Sequence, residues 1–470
     1  MNNLRLLLPE STLATLALVI AFVDMLVPAK RARILYHLAW VSAAGVLGWI
    51  ALSLGDASTH GVGTLWSVDP FSQFFKLTTL LTCVLCLLLG LDYKELPEKH
   101  AGSFSALMLL ATSGLMYLVS ATDLLLVFVA LELVSLSSFI LAGFERSNPK
   151  SNEGSMKYFL FGAFSSAIMV FGISLYYGAT GSTKLAAAAA GPSPMLILAL
   201  VLILLGFAFK ASIAPMHFWV PDAYEGAPTP VTAFLSVAPK LATFAAIARV
   251  FGAVFPLHAY DLTLLFAVLA GLTMTIGNFT AMFQTDVKRL LAYSSIAQAG
   301  YLLIGLAVGS PLGREGVLLY SFVYVAMNIG AFAVAQAVGS AKGSYDLSAF
   351  DGLSKRRFGL ALSMTFCLLS LGGIPPLAGF MGKLYIFSAA VEAGQWWLAV
   401  LGVVNSVVSV YYYFLIAHRM FFREPGDETA IPVGAFVYGG VAVAVVGVLL
   451  FGVYPEPLIA GVRASAQMLP

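Results

Sequence analysis

Charge is scarce in this chain of 470 residues. Asp, Glu, Lys and Arg make up 10% of it, against about 25% in a soluble domain. With 60% hydrophobic residues and a mean hydropathy of +0.91, this scarcity excludes an ordinary soluble protein. The net charge is only +2, which leaves no basic surplus for nucleic acid. Cysteine is nearly absent, with three residues. Cys83 and Cys86 sit inside the apolar run LLTCVLCLLLG with no second ligand pair. They read as small helix-packing residues rather than a metal or redox site. Nucleotide signatures are also missing: no GxGxxG follows a strand, and no GxxxxGK[ST] occurs. No helix carries two histidines at haem or zinc spacing, and no Ser-His-Asp context exists. The chain is therefore not expected to bind NAD, flavin, ATP or an iron–sulfur cluster itself. The first apolar stretch lacks a basic leader and a small-residue cleavage site, so it reads as a spanning helix rather than a signal peptide.

What the chain has is apolar runs. A spanning helix needs about 20 mostly apolar residues. Fourteen candidates meet this, at about 8–27, 34–54, 71–90, 103–121, 123–143, 155–178, 194–220, 230–254, 260–281, 288–308, 314–338, 358–391, 397–421 and 431–454. The fold class is all-α, polytopic and membrane-embedded. No long polar insert divides it, so residues 1–470 are expected to form one membrane domain. Loops after the odd-numbered spans hold fifteen of the 25 lysines and arginines, among them Lys30, Arg31, Arg33, Lys94, Lys99, Arg146, Lys150, Lys288 and Arg289. The opposite side holds five: Arg5, Lys184, Arg249, Arg314 and Arg463. Basic loops stay in the cytoplasm, so both termini should face outward. The Ala-rich stretch Leu185–Gly191 is then an outward connector.

Four ionisable residues lie deep within these runs: Glu132, Lys210, Lys240 and Lys383. A charge near the bilayer centre costs roughly 2.5–3.5 kcal/mol on insertion scales, so such residues mark function by default. Glu132 follows Asp123 by nine residues, about 13.5 Å along a helix axis. Two readings are open for it: a structural partner to another helix, or a carboxylate that tunes a lysine. Lys210 precedes Pro215 and Pro221, and Lys383 follows Pro375 and Pro376. Proline breaks a helix, and a mid-membrane break is tolerated only against protein or a wet cavity. Transporters use such discontinuous helices as ion sites. The seventh and twelfth spans are thus expected to be interrupted, which points to an internal repeat. Lys240 follows Pro239 within the eighth span. Lys157 lies near the cytoplasmic start of the sixth. It either snorkels or partners Glu132 or Lys210. His217, after the first break, either relays protons near neutral pH or caps. His418 reads as interfacial. Ser135, Ser138, Ser236, Thr243, Tyr293 and Tyr412 either bridge waters or pack helices.

At these residues a resemblance appears. FKASIAPMHFWVPDAYEGAPTPVTAFLSVAPK and QTDVKRLLAYSSIAQAGYLL resemble the proton-translocating, antiporter-like membrane subunits of respiratory complex I, the NADH-quinone oxidoreductase. SLGGIPPLAGFMGKLYIFSAAVEAG and WLAVLGVVNSVVSVYYY are similar to one branch of that family. No long lateral helix follows, unlike a second branch. The resemblance spans roughly residues 100–425 and includes cation/proton antiporter subunits in its wider reach. It implies about 14 transmembrane helices in two inverted five-helix repeats, with discontinuous helices 7 and 12. The divisions would be about 1–100, 101–255, 256–425 and 426–470. It implies that Glu132, Lys157, Lys210, Lys240 and Lys383 carry protons. It implies that NADH, FMN, iron–sulfur clusters and quinone belong to partner subunits. Partners would be other membrane subunits, including neighbouring antiporter-like ones, and lipids of the bacterial plasma membrane.

Overall fold

Helices form almost wherever apolar residues run for about 20 positions. The structure, a computed structural model, describes residues 6–28, 32–54, 60–62, 65–96, 98–190, 193–254, 262–426 and 430–466. The N-terminal elements are α1 (Leu8–Asp24), α2 (Ala32–Ser53), the short ribbon of β1 (His60–Val62) and β2 (Trp66–Val68), and α3 (Pro70–Leu91). Then follow α4 (Ala101–Ser120), α5 (Leu124–Ala142), α6 (Pro149–Thr180), α7 (Pro194–Ala211), α8 (Val220–Gly226) and α9 (Thr229–Val254). A second series comprises α10 (Thr263–Ala281), α11 (Val287–Val308), α12 (Pro311–Lys342), α13 (Leu353–Arg356), α14 (Phe358–Gly372), α15 (Ala378–Glu392) and α16 (Trp396–Phe422). The chain ends on α17 (Ala435–Val453) and α18 (Glu456–Ser465). Among the described residues, twelve helices are long and apolar enough to cross a bilayer: α2–α7, α9–α12, α16 and α17. α1, with 17 residues, and α14, with 15, are apolar but shorter.

α9 is the hub. Its spanning window is 100% buried, against 28% for α17 and 33% for α6. α11 and α12, each 89% buried, flank it. Polar side chains on these three helices therefore face protein rather than lipid.

One set of local devices occurs twice. Asp123 caps α5 and Asp286 caps α11, each side chain accepting from a first-turn N–H. The strand-like residues beside each cap are held alike. Leu124 N–H donates to Thr183 O (2.9 Å) and Leu185 N–H to Thr122 O (3.1 Å). Val287 N–H donates to Tyr345 O and Leu347 N–H to Thr285 O, both at 2.8 Å. α6 and α12 both run 32 residues, open on proline behind a polar cap, and close on a left-handed glycine. α7 and α14 both stop at a left-handed residue, Ser212 (φ 64°) and Gly373 (φ 79°). In each case the next residue reaches back: Ile213 N–H to Ala208 O (2.8 Å) and Ile374 N–H to Leu369 O (3.1 Å).

Both proline-bearing stretches are interrupted, as expected. In the run 194–220, α7 ends at Ala211, and residues 212–219 intervene before α8. The run 358–391 splits into α14 and α15 with a shorter gap. The β1–β2 ribbon and the amphipathic α18, which buries Leu458, Ile459 and Val462, had no signal among the apolar runs. Arg5, Lys30, Arg31 and Gly191 lie outside the described residues.

Candidate functional site

Lys210 occupies the last turn of α7, beside the break, and is 2% exposed. Its ammonium donates to Ser135 Oγ (3.1 Å) on α5 and to Tyr158 OH (3.0 Å) on α6. It also lies over the rings of Tyr158 (5.3 Å) and Phe139 (5.9 Å), contacts that suit a desolvated cation. The break supplies the rest of the pocket. Trp219 stacks on Tyr158 at 4.0 Å between centroids, and its indole N–H donates to Phe209 O (3.0 Å). Glu132 sits on the same helix as Ser135, one turn earlier, and is half-buried. Its carboxylate accepts from Ser166 of α6, not from Lys210.

Lys240 and Lys383 are also buried, at 2% and 3% exposure. Lys240 Nζ donates to Ser295 Oγ on α11 (2.7 Å) and lies over the Tyr224 ring (5.5 Å). Lys383 Nζ donates to Leu371 O (2.9 Å) and Ser406 Oγ (2.8 Å), over the Tyr301 ring (4.3 Å). Leu371 O is one of the carbonyls freed where α14 stops. Left-handed Gly373 makes room for the lysine, since a Cβ there would lie 2.8 Å from Lys383 Cδ.

A hydrogen-bonded bridge runs from the carbonyl that holds Lys383 to Ser294, the residue next to the partner of Lys240. Gln298, buried on α11, donates to Leu371 O (3.2 Å) and to Tyr413 OH (3.1 Å), and accepts from Tyr320 OH. Tyr413 OH bonds Ser294, the neighbour of the Ser295 that holds Lys240. Sequence reasoning missed Gln298. Its signal was available, three residues past Ser295 and so on the same helix face.

Lys157 does not join Glu132 or Lys210. Successive helix residues point about 100° apart, and Tyr158 already takes the Lys210 side. Lys157 faces α8 instead, pairing with Asp222 (2.6 Å) and with Glu153 (2.6 Å). Arg289 of α11 bonds both Asp222 and Glu225, and Lys150 pairs with Glu225 (2.6 Å). Gly154 permits this clamp, because a Cβ there would lie 2.5 Å from Asp222 O. His217, 5% exposed in the α7–α8 break, has no hydrogen-bond partner at Nδ1.

Several deep charges had no role assigned from the sequence. Glu10 of α1 and Lys76 of α3 form an ion pair with both side chains at most 1% exposed. Lys76 was visible inside FSQFFKLTTLL. Arg249, expected near the outer surface, is 1% exposed and binds Asp69 through two 2.9 Å bonds. Lys288, expected among loop charges, is 3% exposed at the start of α11. Outside the spans, burial pushes the Tyr93 phenol up, with Tyr345 and Glu145 adding to the effect. Tyr93 thus stays a donor to Glu145. Of the remaining polar candidates, Ser236 accepts from Asn328, Thr243 bonds Pro239 O (2.6 Å) and Tyr412 bonds Asn278 (2.8 Å). Cys83, Cys86 and Cys367 are buried free thiols. Among the described residues no group of three His, Cys, Asp or Glu could hold a metal.

The family model described as NADH:quinone oxidoreductase/Mrp antiporter, TM, matches residues 121–409. That stretch contains all five charged candidates and His217. NADH-quinone oxidoreductase subunit N of Trichlorobacter lovleyi is 43% identical over 99% of this chain and 98% of its own length. F(420)H(2) dehydrogenase subunit N of Methanosarcina mazei is 39% identical over 100% and 99%. Among solved structures, a chain of respiratory complex I from Thermus thermophilus superposes with a TM-score of 0.83 at 35% identity, covering 97% of this chain and 99% of that one. The chain belongs to the NADH:quinone oxidoreductase/Mrp antiporter family of transmembrane proteins.

Proposed function

We propose that this chain is a proton-translocating subunit of a membrane-bound NADH-quinone oxidoreductase, in which quinone reduction drives protons along a buried Glu/Lys/water path. The carrying observation is that Lys210, Lys240 and Lys383 are buried on hydroxyls, carbonyls and rings, with no carboxylate among the described residues paired to any of them. A buried ammonium without a counter-charge responds strongly to any charge brought near it, because little solvent screens the pair. Bringing a carboxylate to about 4 Å from such a lysine, at an effective dielectric near 20, stabilises the charge by about 4 kcal/mol. That is roughly a thousandfold in proton occupancy. Glu132 is the candidate switch for Lys210, and its half-buried position beside exposed Val129 and Leu136 suits contact with a neighbouring antiporter-like subunit.

Protons enter near Lys210 and Glu132, with Lys157 collecting them at the cytoplasmic rim and His217 relaying across the break. They pass Lys240, cross the Gln298 bridge and leave by Lys383. Fourteen spans follow if α1 and the pairs α7–α8 and α14–α15 each count as one. The duplicated devices support two five-span repeats, about 101–255 and 256–425, flanked by 1–100 and 426–470 in one membrane domain. Five spans per repeat makes the second copy inverted. NADH, FMN, iron–sulfur clusters and quinone would sit in partner subunits of a bacterial plasma-membrane complex. The relative named for F(420)H(2) supports assigning donor choice to those partners. The test is Lys240→Ala or Glu132→Ala in the assembled complex, scored as protons moved per electron. An unchanged ratio with either sinks the proposal. The family's Mrp members keep a second reading open, a cation/proton antiporter subunit. Sodium-dependent transport without co-purifying quinone reductase activity would favour it.

A further inference from the structure

Lys288 has no role in the path above, yet it occupies an expensive position. It is the second residue of α11, where the helix end carries partial positive charge and disfavours a cation. It is buried. Its ammonium donates to Ala227 O (2.6 Å) and lies over the Tyr345 ring at 4.7 Å, and no carboxylate among the described residues pairs with it. The carboxylates whose charges act on it are Asp286, Glu145, Glu225 and Glu95, and each is engaged elsewhere. Asp286 caps α11, Glu145 takes Tyr93 and Asn148, Glu225 takes Lys150 and Arg289, and Glu95 takes Ser340. For structure alone, an apolar residue would fill this position at lower cost.

Its surroundings lead inward. Ser295, the partner of Lys240, is seven residues further along α11, on the same face and about 10.5 Å away. On the opposite wall, Thr232 of α9 shares the Ala227 carbonyl with Lys288 (3.4 Å) and bonds Tyr224 O (2.9 Å). Tyr224 in turn presents its ring to Lys240. Lys288 and Lys240 are thus the two ends of one seam, between α8–α9 and α11.

We infer that Lys288 is a cytoplasmic proton-loading group that feeds Lys240 directly through this seam, by a second entry that each cycle needs beside Glu132 and Lys210. The inference rests on Lys240 being a proton carrier. The Lys288 ammonium gives one proton to water in the seam. The far end of that water chain gives one proton to the neutral Lys240 amine. Lys288 then takes one proton back from the cytoplasm, so charge and protons balance with no other reactant.

The test uses the assembled complex and measures quinone-reductase-coupled proton uptake. Lys288→Arg keeps the positive charge and a donor for Ala227 O but cannot release its proton. It is expected to lower uptake about a hundredfold, the lower end of the range for a lost proton-transfer group. Thr232→Val keeps the volume and removes the seam hydroxyl, and should lower uptake several-fold. A structural cation predicts wild-type uptake in Lys288→Arg, and that result overturns the inference. If Lys288→Arg fails to assemble, Thr232→Val decides, and wild-type uptake there overturns it. Lys240→Ala separates the two levels. Normal pumping in that variant rejects the path itself, whereas lost pumping there with normal uptake in the other two rejects only the Lys288 entry.

Discussion

The stretch from α4 to α9 and the stretch from α10 to α16 use the same scaffold and fill it with different charges. Counting from the equivalent caps, Glu132 lies nine residues past Asp123, and Ser295 lies nine past Asp286. Ser135 matches Gln298 in the same count. Counting from the opening prolines of the two 32-residue helices, Tyr158 matches Tyr320. Counting back from the breaks, Lys210 matches Leu371. The triangle of Ser135, Tyr158 and Lys210 in one half is therefore Gln298, Tyr320 and the Leu371 carbonyl in the other. Backbone geometry is duplicated, while ionisable chemistry is not. The first half holds a cation that can gain and lose a proton. The second holds apolar Leu371 at the matching place, puts the amide of Gln298 where the first half has Ser135, and carries its cation on Lys383, past the break. An amide can orient hydroxyls and waters but cannot store a proton. On the proposed path, this difference would give holding to the first half and passing to the second.

The largest way to break this comparison is to make the first half resemble the second. Lys210→Leu installs the residue of the matching position. It is expected to cut protons pumped per electron by at least about a hundredfold, in line with losing a proton-transfer group. The measurement is proton uptake by vesicles containing the intact complex, alongside its quinone reductase rate. Pumping within twofold of wild type would show that the cation at this place is dispensable and the contrast empty. Lys383→Leu, by contrast, leaves the amide bridge in place and should lose pumping less steeply than Lys210→Leu.

The bridge gives the next effect. Gln298→Ala leaves Tyr320 OH without its partner in a buried site and removes one of two contacts from Leu371 O and from Tyr413 OH. Stranded buried polar groups cost about 1–3 kcal/mol each, so the variant should melt earlier and pump several-fold more slowly. Gln298→Glu, which offers the same shape with a group that can hold a proton, should retain the fold and slow pumping. If Gln298→Ala pumps normally, the two lysines communicate by another route.

Stability offers a further comparison, between the paths and the outer pair. Asp69 and Arg249 meet through two bonds with both side chains almost fully buried. Removing one partner of a buried pair costs about 3–5 kcal/mol, whereas replacing both can be nearly neutral. Asp69→Asn should therefore lower the melting temperature of the subunit more than Asp69→Leu with Arg249→Met together. Neither should change protons per electron in the fraction that assembles, because this pair touches none of the path lysines.

How far the sequence told these things follows from the physics of each signal. Spans were legible because about 20 apolar residues have few other uses. Lys210, Lys240 and Lys383 were legible because each interrupts such a run. Prolines marked the breaks, but not their lengths: the gap before α8 depends on Trp219 returning to Phe209 O, a tertiary contact. Gln298 was overlooked because an uncharged residue in a helix costs little and raises no alarm. Arg249 and Lys288 were misplaced because a charge near the end of an apolar run looks interfacial. Whether it is buried depends on the neighbouring helices, which hydropathy does not encode. Lys157 was found, but its partner was not, since the choice between Lys210 and α8 rests on which of two adjacent residues faces inward.

Lys157 also supplies the smallest prediction. Its match in the second half, counted from the opening prolines, is Leu319. Lys157→Leu therefore erases one more difference between the halves. The ammonium is 39% exposed, and its partners Asp222 and Glu153 remain partly solvated. Ion pairs of this kind contribute about 0–1 kcal/mol, so the complex should assemble and melt as before. Asp222 keeps Arg289, so α8 should stay in place. A proton-collecting role at the rim would show as a fall of about two- to threefold in proton uptake, steepest at high pH where protons are scarce, with the quinone reductase rate falling alongside. A loss as deep as that of Lys210→Leu would instead make Lys157 an obligatory step. The clamp to α8 would then be the resting position of a side chain that swings inward during turnover.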